Sequence, residues 1–206
     1  MAAGRTHLFE RLPMSTTSPS RSADTSAPLL PYLAERWSPR SFDAQYELPE
    51  DDLTTLLEAA RWAASASNTQ PWKFIVGLRG SATFDRIAAR LMGFNSVWAG
   101  TASALVAVAA QIEDADGKPM RWSRYDAGQA AAQLTVQAQA LGLHVHSMGG
   151  FEWDALNADF GLGEAWDVQT VLAVGKAASA DLLNEKLRER EQLPRERKPL
   201  SDIVIR

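Results

Sequence analysis

Cysteine is absent from the 206-residue chain. That absence alone removes disulfides, thiolate-held zinc, iron–sulfur clusters and a cysteine nucleophile as means of function. Any redox chemistry must therefore be carried by a bound cofactor. Histidine is scarce: His7, His144 and His146 are too few and too badly spaced for a metal centre, and none is expected. His144 and His146 alternate on a predicted short strand, which is expected to turn one of them toward solvent or a polar partner. A surplus of positive charge is missing too. Lys and Arg number 21 against 25 Asp and Glu, a formal charge of -4, so there is no electrostatic footprint for nucleic acid. No apolar run reaches the roughly 18 residues of a membrane span, and no basic-then-apolar leader opens the chain. A cytoplasmic protein without membrane or nucleic-acid partners is expected. The sequence also lacks G-x-G-x-x-G and a Walker lysine motif, so no built-in dinucleotide fold is indicated.

What is present suffices for one substantial core, with 46% hydrophobic residues. Residues 1–27, rich in Ser, Thr and Ala without apolar periodicity, read as a disordered extension, leaving residues 28–206 as the folded domain. A short helix is expected over 29–35, leading into a loop around Pro39. Pro49 and the run Glu50-Asp51-Asp52 supply helix-start signals, with Leu53, Leu56, Leu57, Ala60 and Ala64 as the buried stripe. Strands are predicted at 74–76, 104–110, 143–146 and 168–174, and further helices at 82–91, 152–160 and 181–189. The longest helix should run from Ser123 to Leu141 and stop at Gly142. Its abundance of alanine places it centrally, against the core or a partner subunit. The order is mixed α and β without internal repeats.

Two stretches could carry chemistry. Arg36, Ser38 and Arg40 alternate, so an extended segment projects two planar guanidiniums and a hydroxyl from one face, a set suited to a phosphate monoester. Alternating Arg and Ser on a solvated loop is the blander reading of the same residues. The polar bend from Ser65 to Trp72 offers both donors and acceptors to a flat heteroaromatic ring, although a helix cap and turn would use the same residue types. Met148-Gly149-Gly150-Phe151 reads as a tight loop. Trp72 and Phe74 read as core; Trp98 fits either core or pocket lining.

Taken together, the Arg36/Ser38/Arg40 triplet, the S-x-S-N-T-Q-P-W-x-F run, the long alanine-rich helix, the Gly-Gly-Phe loop and the tail R-x-R-K-P-L resemble the nitroreductase family of flavoproteins. The resemblance covers Pro28 to the end and is strongest at Asn68-Thr69-Gln70-Pro71-Trp72-Lys73-Phe74. It implies an α+β fold with a mainly antiparallel central sheet flanked by helices, and an intertwined homodimer with FMN at two interface sites. Carried over by position, Arg36, Ser38 and Arg40 would hold the FMN phosphate, assisted by Arg197 and Arg195. Ser65, Ala66, Ser67 and Asn68 match the segment that lines the flavin from the other subunit, with Gln70 nearby. Asn95 matches an asparagine near the flavin edge, and Gly149 and Gly150 match a loop against the flavin. No side chain is expected to act as nucleophile or general acid. The implied activity is a ping-pong transfer from NAD(P)H through bound FMN to nitro compounds, quinones or similar acceptors. Two departures leave alternatives open. Ala64-Ser65-Ala66 stands where relatives have Pro-Ser-Ser, and Gly149 stands where many have an acidic residue. A flavin-sequestering protein of the same fold, or a member with other flavin chemistry, would tolerate both.

Overall fold

A computed structural model describes residues 21–206; the first 20 residues of the extension expected to be disordered lie outside the described residues. The elements follow in the order α1 (Pro31–Glu35), α2 (Glu50–Arg61), β1 (Trp72–Leu78), α3 (Ala82–Ala88), α4 (Asn95–Trp98), β2 (Ala104–Gln111), α5 (Ser123–Ala140), β3 (His144–Met148), α6 (Trp153–Asp159), β4 (Trp166–Gly175) and α7 (Glu185–Gln192). The four strands form one sheet in the order β1-β2-β4-β3, with every pairing antiparallel. The fold is thus α+β, with helices on both faces of a central antiparallel sheet.

The continuous apolar run of β2 follows from burial on both faces. Ala104, Val106, Val108 and Ala110 join the core under α2 and α5, whereas Leu105, Ala107 and Ala109 join a second core under α3, α6 and α7. Opposite the Val108/Ala109 step, Thr170 and Val168 are the paired residues of β4, so Gln169 is the extra residue of a one-residue bulge. That bulge lets Val168 and Val171 face the same core. Of the predicted stripe on α2, Leu53, Leu56 and Ala60 are buried and Leu57 half-buried, whereas Ala64 lies beyond the helix end and is exposed, Ala63 being buried instead; the helix packs along α5.

Helix α5 ends as glycine chemistry requires. Gly142 takes φ 71° and the Leu143 amide donates to Ala138 O at 2.8 Å, closing the last turn before β3 begins. Only one side of α5 is buried: Asp126, Ala127, Ala130, Leu134 and Ala138 face inward, while Tyr125, Gly128 and Ala132 are exposed. Two helices differ from expectation. α3 stops at Ala88, and Leu91 instead bridges Phe151. α7 starts at Glu185 because the Asn184 side chain accepts from the Leu187 amide as an N-cap, while 180–182 forms a separate tight turn started by Ser179. Among the described residues, no helix is long and apolar enough to cross a membrane.

Candidate active site

The segment between α1 and α2 packs against β3 through the side chains of His144 and His146. His146 shares a hydrogen bond through Nδ1 with Pro39 O at 2.8 Å, and the Trp37 ring meets His144 edge-on at 5.8 Å. His144 and His146 are two residues apart on a strand and so face the same side, both toward this segment, rather than one turning away alone. Burial lowers both to about 4, assisted by Arg36 at His144, and by Arg40 and Arg36 at His146, where the Pro39 and Ser38 backbone opposes the shift. The imidazoles are therefore neutral at pH 7, and the Nδ1–H of His146 donates to Pro39 O. Trp98 is core, stacked on Phe42 with ring centroids 6.1 Å apart and tilted against His146 at 4.6 Å.

Above this base the predicted cations converge. Arg36 Nη1 donates to Ser38 Oγ at 3.2 Å. Desolvation lowers the Arg36 pKa, followed by the field of Arg197; Arg195 is lowered by desolvation, then by Arg36, Arg197 and Arg21. Among the described residues none of these four makes an ion pair with a carboxylate. Arg21, Arg36 and Arg195 are half-buried and Arg197 is exposed; guanidiniums gathered without a counter-charge are unfavourable unless an anion joins them, and a terminal phosphate fits that demand. Arg40 is placed differently. Its Nη1 lies 3.5 Å from Glu191 Oε2, and Glu191 Oε1 accepts from the Arg40 amide at 2.8 Å and the Ser41 amide at 3.4 Å. Glu191 is only 3% exposed and was missed by sequence reasoning. The clue was local: it sits four residues after buried Leu187, which puts a carboxylate on the apolar face of α7.

At the far end of β3 the chain enters Gly149-Gly150. Asn95 Nδ2 and the Met92 amide both donate to Gly150 O, at 3.1 and 3.0 Å. A Cβ on Gly150 would lie 3.0 Å from Asn95 Nδ2, whereas one on Gly149 would meet nothing within 4 Å. The close approach that glycine permits here is thus first to Asn95, and Gly149 leaves open space. Met92, Gly149, Gly150, Trp153 and Asp154 line an open cleft of about 580 Å³ at this point. Arg90 braces its rim, holding Asp159 at 2.7 and 3.1 Å and Glu152 at 3.2 Å.

The Ser65–Gln70 bend lies elsewhere. The Ala66 amide donates to Asp126 Oδ2 at 3.0 Å at the start of α5, whereas the Arg36–Arg40 segment packs against β3, which follows the end of α5. Roughly 20 Å of helix lies between the two ends. Ser67, Asn68 and Gln70 hold φ of 52°, 57° and 50°, left-handed values uncommon outside glycine. Ser65 Oγ accepts from the Gln70 amide, and Gln70 Nε2 donates to Asn68 O, so Gln70 is turned into its own loop. Ala66, Ser67, Asn68 and Gln70 are exposed. Within one protomer the structure brings together Arg36, Ser38, Arg195 and Arg197, and separately Asn95 with Gly150. It does not bring the Ser65–Gln70 bend to either.

Comparison with known proteins identifies the family of the fold. Residues 33–176 match the family model described as the nitroreductase family. A solved structure described as an oxidoreductase containing FMN is 35% identical and superposes with a TM-score of 0.85 over 91% of this chain and 96% of that one. An uncharacterised 15.4 kDa protein of Mycolicibacterium smegmatis is 37% identical over 141 residues, 65% of this chain and 94% of that protein. A Bacillus subtilis strain 168 protein provisionally named NAD(P)H nitroreductase YdgI is 26% identical over 189 residues, 74% of this chain and 90% of its own length. With the family model matched over residues 33–176 and the fold shared with these relatives, the chain belongs to the nitroreductase family.

Proposed function

We propose that the protein is a cytoplasmic FMN-dependent oxidoreductase, acting as a homodimer, that takes reducing equivalents from NAD(P)H and passes them to small electron-poor acceptors such as nitro compounds or quinones. The observation that carries this reading is the uncompensated guanidinium cluster at one end of β3, with the Asn95–Gly150 cleft at the other. The five residues of β3 span roughly 16 Å, a length over which the phosphate and ring ends of one mononucleotide can be served by a single strand. The likeness to an FMN-containing oxidoreductase supports the choice of mononucleotide.

Arg36, Arg195 and Arg197 would hold the phosphate, with the Ser38 hydroxyl beside them. Arg40 contributes to the positive field while Glu191 restrains its side chain. Asn95 is fixed through Nδ2, which leaves its Oδ1 available as an acceptor for a ring N–H. When bound, the flavin supplies two-electron acceptance from a nicotinamide and delivery to a second substrate, so one cleft serves both in turn. The open space at Gly149 admits flat substrates, and water supplies the protons.

The exposed Ser65–Gln70 bend reaches such a cleft only when contributed by a second copy of the chain. Trp62, Trp122 and Tyr125, 72%, 54% and 66% exposed, flank that bend and its α5 anchor as apolar surface for the second copy to cover. A second reading, flavin retention with little turnover, is favoured by the space at Gly149 and the missing hydroxyl at Ala66.

An anaerobic titration tests the proposal. Yellow purified protein should bleach on adding NADPH or NADH and recover its colour with a nitroaromatic or a quinone. Colour that resists both nicotinamides selects the retention reading. A protein that stays colourless after incubation with excess FMN rules out both.

A further inference from the structure

The guanidinium cluster contains one member that the proposed site does not use. Arg21 precedes the family match, which begins at residue 33. Its Nη1 donates to Glu191 O and its Nη2 to Leu193 O at 2.8 Å, closing the carbonyl end of α7. In return Arg195 Nη1 donates to Arg21 O at 2.5 Å and to Ala34 O at 2.7 Å, and the Ala23 amide donates to Ala34 O. Each chain end thus grips the backbone of the other segment with an arginine. The Arg21 guanidinium carbon also lies 4.3 Å above the Trp37 ring, which fixes it against the base of the phosphate cluster.

Two features exceed what a structural clasp requires. Arg21 Nε is buried and has no hydrogen-bond partner among the described residues. A guanidinium has five N–H donors, and α7 engages two, so donors remain for an anion. Capping α7 needs one cation, yet Arg36, Arg195 and Arg197 share the region with it, and the field of Arg21 acts on Arg195 in the same unfavourable sense as theirs.

We propose that the segment Arg21–Ala27 is a strap over the phosphate end of the cofactor site, and that Arg21 is a fourth guanidinium binding the phosphate and slowing cofactor release. This rests on the FMN reading above. The test compares wild type with Arg21→Met, which keeps the packing stem, and Arg21→Lys, which keeps the charge without the planar fork. FMN and riboflavin dissociation constants and FMN release rates are measured on each full chain. Arg21→Met should weaken FMN binding and speed its release about tenfold, leave riboflavin binding unchanged, and be partly rescued in Arg21→Lys. FMN affinity within twofold of wild type, or an equal loss for FMN and riboflavin, would reduce Arg21 to a helix cap and overturn the proposal. Should wild type take up no FMN at all, the cofactor reading fails separately. Inorganic phosphate must then still protect the amides of 21–27 from hydrogen exchange, and absence of that protection ends the strap as well.

Discussion

Two loops are each tied to a buried carboxylate by backbone amides, and they differ in everything else. In the Arg36–Ser41 segment, Glu191 accepts from the amides of Arg40 and Ser41, His146 holds Pro39 O, and Ser41 Oγ donates to Ser179 O at 2.7 Å. Phe42 continues directly into a bridge with Ala177. In the Ser65–Gln70 bend, Asp126 accepts from one backbone amide, that of Ala66, besides the Gln129 side chain, and three non-glycine residues stay left-handed and exposed. The first loop is finished within one protomer, as a phosphate grip must be if it is to hold charge without rearranging. The second is shaped but uncovered, which fits a loop whose counterpart lies in another copy.

The largest effect should come from removing the carboxylate that finishes the first loop. Glu191→Ala orphans two amides and leaves Arg40 unpaired, and we expect a loss of about 3 kcal/mol, read by urea unfolding. Asp126→Ala orphans one amide and should cost about 1–2 kcal/mol. FMN affinity should fall in both, through the phosphate in the first case and the ring in the second, so riboflavin binding should suffer only in Asp126→Ala. Equal costs for the two substitutions would show that the two loops are anchored alike.

A smaller effect follows from pH, and it singles out the first loop. His144 and His146 are lowered to about 4 in the folded chain, so between the ordinary value near 6.5 and about 4 the unfolded chain binds more protons. Their stabilising contribution is complete above about pH 6.5 and is lost as pH falls toward 4, at no more than roughly 1.4 kcal/mol per pH unit for each histidine. Hydrogen exchange at the Arg40 and Ser41 amides should quicken over this range before that at Ala66. His144→Phe, which keeps the aromatic contact with Trp37, should flatten the slope. An unchanged slope would mean that His144 titrates normally.

The legibility of the molecule in its sequence divides along similar lines. Features written in neighbouring residues were readable: the doubly buried run of β2, the stripe of α2, and the end of α5 at Gly142. The grouping of Arg36 and Ser38 with Arg195 and Arg197 was implied by the family resemblance and by nothing local in the chain. What the sequence did not display were pairings between distant positions: the spacing from Leu187 marks Glu191 as buried, but nothing local names its partner 151 residues away, Arg40. The role of Arg21 was hidden for the same reason, in a stretch whose composition suggested only disorder. The separation of the two loops along α5 required the three-dimensional path, because a linear motif lists its residues without saying which share a protomer.

The smallest predicted effect tests whether the second loop is strained. Ser67 sits at φ 52° and ψ 24°, whereas its neighbour Ala66 has no positive φ. A left-handed residue with a Cβ costs about 1 kcal/mol, which glycine avoids. Ser67→Gly should therefore be at least as stable as wild type and about 1 kcal/mol more stable than Ser67→Ala. At the adjoining position the order should reverse, Ala66→Gly losing about 0.5–1 kcal/mol through the added freedom of the unfolded chain. Thermal melts of the three variants decide the matter. Loss of stability in Ser67→Gly comparable to that in Ala66→Gly would mean that the bend relaxes out of the left-handed region in solution. The loop would then be flexible, and its shape would arise only on meeting a partner.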